Sequence, residues 1–338
     1  MSLLQAPRFN AAGAELLARE LYGAAGSASP LPSERDQNFL LTTTAGDRYV
    51  LKIANGGENR AMLEAQNAAM AHVAPRVGFC PRVVPARSGD TIALTPDGHH
   101  FIRLVTYLDG VPLAKAAPRT PALFENLGRA VGQLDAALAD FDHPAIHRDF
   151  HWDLVNAGGI VREHIRIVPG GLRVLVADAT VAALQALDAI GKALRQSAVH
   201  HDANDWNVLV DAPPAGGGSP GIAGIIDFGD MVYSWTVADP AVAAAYAMLD
   251  APDPIASVAA VAAGYHRAYP LREEELAALF PLAVLRLCMS VAIAAWQQRQ
   301  RPGDDYLGVS QEPIRRTLPA LAAIDQAAAA QAIREAAG

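Results

Sequence analysis

VHHDANDWNVLV, residues 199–210, and GIIDFGD, residues 224–230, are the two stretches on which the architecture of this 338-residue chain turns. Asn207 follows Asp202 by five residues. Asp227 follows it by twenty-five, behind an apolar run and ahead of Phe228 and Gly229. That interval holds a short strand, a loop and a returning strand, so a hairpin brings two carboxylates and one amide towards one point. Phosphoryl transfer asks for such a set: a carboxylate to orient the attacking hydroxyl, oxygen ligands for a metal, and a cation on the phosphate oxygens. In kinase folds a metal-binding Asn follows the loop carboxylate by five residues, and a second metal-binding Asp opens a DFG turn. One Asn and one Asp suit Mg2+, which takes few protein side chains and several phosphate oxygens. Each part alone is common, and the order with strand-like flanks makes the signal. The plain alternative is a pair of loop carboxylates that cap turns.

A second tripeptide, His147-Arg148-Asp149, matches protein-kinase catalytic loops in letters only. Five residues beyond Asp149 stands Leu154, Asn156 is out of register, and the following HWDLVNAGG is mixed rather than apolar. The segment His147–Asp153 is expected in the C-terminal portion. Its His151, Trp152 and Asp153 are either near a substrate pocket or structural.

Outward from the loop, the chain divides by character. Residues 10–24 read as an amphipathic helix, and Pro30 and Pro32 then break the chain. QNFLLTTT and RYVLKIA, joined by Ala45-Gly46-Asp47, predict a hairpin over 37–54. A helix is expected at 58–74, and short strands at 82–84, 91–94 and 100–108. Beyond the Asp109-Gly110 turn, Ala- and Leu-rich helices are expected at 121–141, 180–197, 237–250, 254–268, 272–299 and 311–335. Short strands at 199–202, 207–210 and 224–227 lie between them, and the Gly-rich 215–221 reads as an exposed loop. The fold class is therefore α+β: a small β-rich N-terminal nucleotide-binding lobe, residues 1–108, and a larger, mainly helical C-terminal lobe for catalysis and acceptor binding, residues 109–338.

Composition narrows the function. Apolar residues make up 51% and charged residues 18%, which suits a packed core. The net charge of -8 offers no global attraction for nucleic acid. Cys80 and Cys288 lack the pairing of a zinc site or a disulfide framework. MSLLQAPRFN has no secretory pattern. The apolar run Phe280–Trp296 is interrupted by Arg286 and reads as a buried helix rather than a membrane span. A cytoplasmic location and no membrane partner are expected.

LPSERDQNFLL, DRYVLKIAN, MLEAQN, FIRLVTYLDG, VHHDANDWNVLV and GIIDFGDMVYSWTVADPAVAAAYAML together resemble the aminoglycoside phosphotransferase-like small-molecule kinases, in the branch of the hydroxylysine kinases and their bacterial relatives. The resemblance spans residues 31–249. It implies a two-lobed protein-kinase-like fold, with Asp202 as catalytic base or orienting carboxylate and Asn207 and Asp227 as Mg2+ ligands. Lys52 would contact the α- and β-phosphates, with Glu64 paired to it from the following helix. Ser33–Asn38, including Gln37 and Asn38, would cover the phosphates. Thr106–Leu108 would meet the purine through backbone groups. The family usually places Gly where this chain has His201, which bears on the local backbone.

Other readings stand beside these. The plain alternatives are an edge lysine for Lys52 and an exposed helix charge for Glu64. His200 reads as a packed core histidine, and Asp230 as a helix cap. Asp205, Trp206, Asp230, Tyr233 and Trp235 are acceptor-binding candidates, and the last two also suit plain packing. Asp205, Asp230 and Asp239 would suit an ammonium group. The expected function is transfer of the γ-phosphoryl group of ATP or GTP to a hydroxyl of a small amine or amino acid, hydroxylysine-like. An aminoglycoside or choline-type acceptor is the variant of this reading. A catalytically silent nucleotide-binding module and a protein kinase are the other classes. Intact Asp202, Asn207, Asp227 and Lys52 argue against the first, and the missing Gly-rich loop and APE segment against the second.

Overall fold

Alternating apolar residues in QNFLLTT and RYVLKI build the first sheet. The computed structural model describes residues 6–33, 35–212, 214, 218–303 and 308–338. The chain forms two units, Met1–Asp109 with His143–Ala145, and Gly110–Asp142 with Ile146–Gly338.

In the first unit, α1 (Ala11–Leu17) is capped by Asn10, whose side chain accepts from the Gly13 N–H. A π-helical turn at Ala18–Tyr22 continues it. There follow β1 (Gly26–Leu31), β2 (Gln37–Thr43), β3 (Arg48–Ile53), α2 (Arg60–Val73), β4 (Val83–Val84), β5 (Ala93–Leu94) and β6 (Phe101–Thr106). The sheet runs β1-β2-β3-β6-β4, and β5 also pairs with β6. Phe39, Leu41, Leu51, Ile53, Ile102 and Leu104 share its inner face and pack on Ala14, Leu17 and Ala18 of the first helix and turn. Pro30 does not break the chain as expected. It stands within β1 opposite Phe39, on an edge strand where a missing N–H is tolerated.

The second unit begins with β7 (Val111–Pro112), α3 (Pro121–Leu138), α4 (Ala157–His164) and α5 (Gly170–Asp188). Four short strands follow: β8 (Gln196–Val199), β9 (Val208–Val210), β10 (Ile222–Ile225) and β11 (Val232–Trp235). The chain ends with α6 (Ala238–Ala247), α7 (Pro254–Ala268), α8 (Glu273–Gln300), α9 (Gln311–Ala322) and α10 (Gln326–Ala337). The strands form two small sheets, β10-β9-β7 and β11-β8. Of the Gly-rich loop expected at 215–221, residues 215–217 lie outside the described residues.

Among the boundaries that differ from expectation, three have a clear physical cause or consequence. The helix expected at 180–197 is α5, ten residues earlier; its Gly170-Gly171 opening and β-branched first half hide its helical character. The strand expected at 199–202 is β8, which stops at Val199. The helix expected at 311–335 is two helices, because the Asp325 side chain accepts from the Ala328 N–H and starts a second.

Helices α3 and α7 meet backbone to backbone. A Cβ at Gly128 would lie 1.9 Å from the Val261 carbonyl oxygen, and one at Gly264 equally close to that of Glu125. Tyr265 on α7 donates its hydroxyl to Asp135 Oδ2 on α3 at 2.6 Å. Helix α8 is buried from Glu275 to Ala294, with Glu275 and Arg286 its buried charges. Glu275 is answered by Arg195, through Nε at 2.7 Å and Nη2 at 2.6 Å, which pins the chain entering β8.

Candidate active site

The loop begins where the β8 ladder ends. The His200 N–H donates to Asp239 Oδ2 at 2.8 Å, and the His201 N–H to Asp239 Oδ1. Asp239 is fully buried in the first turn of α6, where an unpaired carboxylate would be costly. It therefore draws off two donors that would have extended the strand. This corrects its reading as an acid facing the acceptor.

His201 then turns the chain with φ at 66°, a region that costs a residue with a Cβ about 1–2 kcal/mol. Its buried ring offsets that cost. Nε2 lies 3.0 Å from the Trp152 carbonyl and 3.3 Å from the Leu154 N–H. Burial lowers the imidazole pKa, Asp153 opposes, and Arg286 adds to the lowering. The ring is thus a neutral packing group beneath the turn.

The turn presents Asp202 with its side chain 17% exposed. Its Oδ1 accepts from Asn204 Nδ2 at 2.8 Å and Arg286 Nη2 at 2.9 Å. Its Oδ2 accepts from Asn207 Nδ2 at 2.6 Å, and that amide also donates to the Asp202 carbonyl at 3.1 Å. Burial pushes the Asp202 carboxyl well above the usual carboxylate range. Asp230 and Asp227 add to this, while Arg286 and Asn204 oppose it.

Asn207 is brought to Asp202 by the Asn204 side chain, whose Oδ1 accepts from the N–H groups of Trp206 and Asn207. The Ile226 N–H donates to the Asn207 carbonyl at 2.9 Å, which sets Asp227 beside this pair. Asp227 is exposed with φ at 64°, and its Oδ1 accepts from the Gly229 N–H. Asn207 spends its amide nitrogen on Asp202, so its oxygen faces away and finds no hydrogen bond among the described residues. That oxygen and the Asp227 carboxylate are an all-oxygen donor set, which fits a hard divalent cation.

The His147–Asp153 segment proves to be a brace for this site. Arg148 Nη2 donates to the carbonyls of Gly229 and Met231 at 2.9 and 3.0 Å, so it holds the turn after Asp227. Asp149 accepts from Asn156, and Asp153 accepts from the Ser234 hydroxyl at 2.6 Å. Phe150 packs with Val199 and Val232, and Trp152 lies against them.

The acceptor candidates divide. Asp205 is buried, and burial lifts its carboxyl to about 6 with Arg119 opposing. Its Oδ1 finds no hydrogen-bond partner among the described residues. Trp206 is half-buried beneath Lys115, whose Nζ is 5.3 Å from the ring. Asp230 faces Asp202 closely enough to raise its pKa. Tyr233 stacks on His147 at 4.5 Å. Trp235 pairs with Gln196, at the end of β8 remote from the loop, because the register places Val232 opposite Val199. That position suits the packing alternative for Trp235.

In the first unit, Lys52 stands in mid-sheet between Asn38 on β2 and Arg103 on β6. Asn38 Oδ1 is buried without a hydrogen-bond partner among the described residues. Gln37 spends both ends of its amide on the Phe9 backbone, at 2.8 and 2.7 Å. Its side chain is thereby committed to Phe9, which leaves its backbone for a contact in the expected phosphate loop. Ser33 lies half-buried between β1 and β2, and Glu34 lies outside the described residues. Glu64 pairs with Arg60 at 2.8 Å, which corrects the expected pairing with Lys52. The two lie one turn apart on the same exposed face of α2, where an ion pair needs little ordering. Thr106 accepts from the Arg82 N–H through Oγ1, and Leu108 follows in irregular chain.

Arg286 escaped the sequence reading of the site. Its signal was there, a lone arginine inside an apolar helix, and was weighed only against a membrane span.

A family model described as the phosphotransferase enzyme family matches residues 27–276. Hydroxylysine kinase of Mus musculus is 31% identical over 328 residues, covering 90% of this chain and 87% of that protein. Hydroxylysine kinase of Danio rerio is 29% identical over 318 residues, covering 90% and 88%. Among solved structures, the microcompartment-associated aminopropanol kinase has a TM-score of 0.69 at 19% identity, covering 96% of this chain and 98% of that one. That likeness supports the kinase-like fold.

Proposed function

The chain belongs to the phosphotransferase enzyme family and is a small-molecule kinase, and from that premise we propose that it transfers the γ-phosphoryl group of ATP or GTP to a hydroxyl of a small amine or amino acid of the hydroxylysine type. The observation that carries the reaction is Asp202, held on both carboxylate oxygens, with Asn207 bonded to it and Asp227 set beside them. The similarity to the hydroxylysine kinases along some 90% of the chain supports the acceptor class.

In this reading Asp202 receives the acceptor hydroxyl and takes its proton as the phosphoryl group transfers. Asn207, through its amide oxygen, and Asp227 hold Mg2+. When bound there, the ion neutralises charge on the transferring phosphate. Lys52 serves the α- and β-phosphates, and the backbone of Thr106–Leu108 the purine. Asp205 and Asp230 are the anionic groups for the acceptor ammonium, since Asp230 faces Asp202 and Asp205, in the same loop, keeps an oxygen with no hydrogen-bond partner among the described residues.

A nucleotide-consumption assay tests this, with ATP and GTP run separately against hydroxylysine, amino alcohols and aminoglycosides. Turnover with hydroxylysine or a related hydroxy amine is expected. Mg-nucleotide binding with no turnover on any acceptor would favour the silent module instead. Asp202→Asn should lower kcat by about two to four orders of magnitude with the circular dichroism spectrum unchanged. Undiminished turnover would remove Asp202 from its role.

A further inference from the structure

Helix α8 carries a charge at the place where an apolar residue would pack best. Arg286 is 2% exposed. Its Nη2 donates to Asp202 Oδ1 at 2.9 Å, while Nε and Nη1 find no hydrogen-bond partner among the described residues. The Trp152 ring covers the guanidinium at 4.5 Å, and the Tyr246 ring lies at 6.0 Å. A buried arginine kept for stability has its donors satisfied. Arg286 does not. Exchanging a buried ion pair for apolar side chains is commonly neutral or stabilising, so stability does not explain this residue. What the guanidinium touches does: the loop carboxylate, Tyr246, and the tryptophan of the brace that holds the turn after Asp227.

We propose that Arg286 is a positioning residue for phosphoryl transfer, which fixes the Asp202 carboxylate in the orientation that meets the acceptor hydroxyl. Among the described residues Asn207 alone holds Oδ2, while Asn204 and Arg286 share Oδ1. With those three in place, the carboxylate cannot turn about its Cβ–Cγ bond. Asp230 and Asp227 crowd the same carboxylate with like charge, and Arg286 offsets that repulsion. Without Arg286, Asp202 is pushed from its neighbours and loses one of the two donors on Oδ1. The Trp152 ring, 4.5 Å from the guanidinium carbon, limits its rotation, so the brace at 147–156 and the carboxylate share one restraint. The inference rests on Asp202 being the residue that meets the acceptor.

Arg286→Met keeps length and helix propensity and removes the charge. Arg286→Lys keeps the charge and loses the planar fork. Each is measured for kcat, for KM of nucleotide and acceptor, for nucleotide Kd by calorimetry, and for thermal unfolding. The Met variant is expected to fold and bind nucleotide as wild type does, with kcat lower by about a hundredfold. The Lys variant is expected to regain about tenfold of that loss. A folded Met variant with kcat lowered by less than about tenfold overturns the proposal, as does a Lys variant no faster than Met. Should the Met variant fail to fold, the Lys variant decides alone: a fall in kcat of about tenfold or more at unchanged nucleotide KM supports the role, and a smaller fall overturns it. Asp202→Asn is run alongside. If it keeps turnover, the assignment of Asp202 has failed; if it is inactive while Arg286→Met is not, only the role of Arg286 has failed.

Discussion

His201 holds a full side chain in left-handed backbone, and the two demands on it can be separated by substitution. His201→Gly and His201→Ala both lose the imidazole and its contacts to Trp152 and Leu154. Only Ala keeps the strained φ. Urea unfolding should therefore find Gly more stable than Ala by about 1 kcal/mol, the reverse of their order in a helix. At this scale the sequence was legible where chemistry repeats at a fixed spacing. Asp202, Asn207 and Asp227 do come together, because an Asx turn and one strand pairing convert five residues and twenty-five into contact. It was illegible where a side chain's task is set by backbone groups far along the chain. Asp239 looks like any acid in its sequence, yet it binds the two N–H groups that shape the loop. The partner of Glu64 was misread for a related reason. Two helical charges four apart satisfy each other first.

Among elements, the closest approach is α3 against α7. Gly128→Ala puts a methyl group on the Val261 carbonyl, with no flexible side chain to give way. It should destabilise the protein by about 2–3 kcal/mol. Gly159→Ala, on α4 with open space at its Cβ, should stabilise by about 0.5–1 kcal/mol. Thermal or urea unfolding of the pair distinguishes packing from propensity. No glycine of α3 or α7 stands out in the sequence, since their purpose lies in the helix they face. Strand β11 was missed because VYSW is four residues long and its partner β8 lies over thirty residues earlier. The brace at 147–156 was seen but not understood. Its letters suggested chemistry and its spacing denied it, and neither spoke of Arg148 holding two carbonyls.

For the molecule as a whole, the buried acids of the second unit tie stability to pH. Asp135 lies fully buried under the Tyr265 hydroxyl, and burial, then Asp239, raises its carboxyl well above the usual range. The native protein therefore keeps a proton that the unfolded chain releases above about pH 4. Stability from this group is full below that pH and falls as pH rises towards the native value, at about 1.4 kcal/mol per pH unit. Asn at 135 cannot titrate. Relative to wild type, Asp135→Asn should thus gain stability as pH rises above about 4, until the native carboxyl itself titrates, read by urea unfolding at each pH. No part of this was visible beforehand, because Asp135 sits in the middle of an ordinary amphipathic helix. The division into a β-rich first unit and a helical second was visible, because periodicity changes from two to near four where Asp109 and Gly110 turn the chain.

Of the four tryptophans, Trp152 lies on the guanidinium that grips Asp202, and Trp206 lies within the same loop under Lys115. Indole emission responds to charges and motion at such distances. The protein thus carries an intrinsic optical reporter at the point where its chemistry is placed. Arrival of a ligand at Asp202 can be followed by fluorescence on the unlabelled chain, with Trp152→Phe assigning the signal.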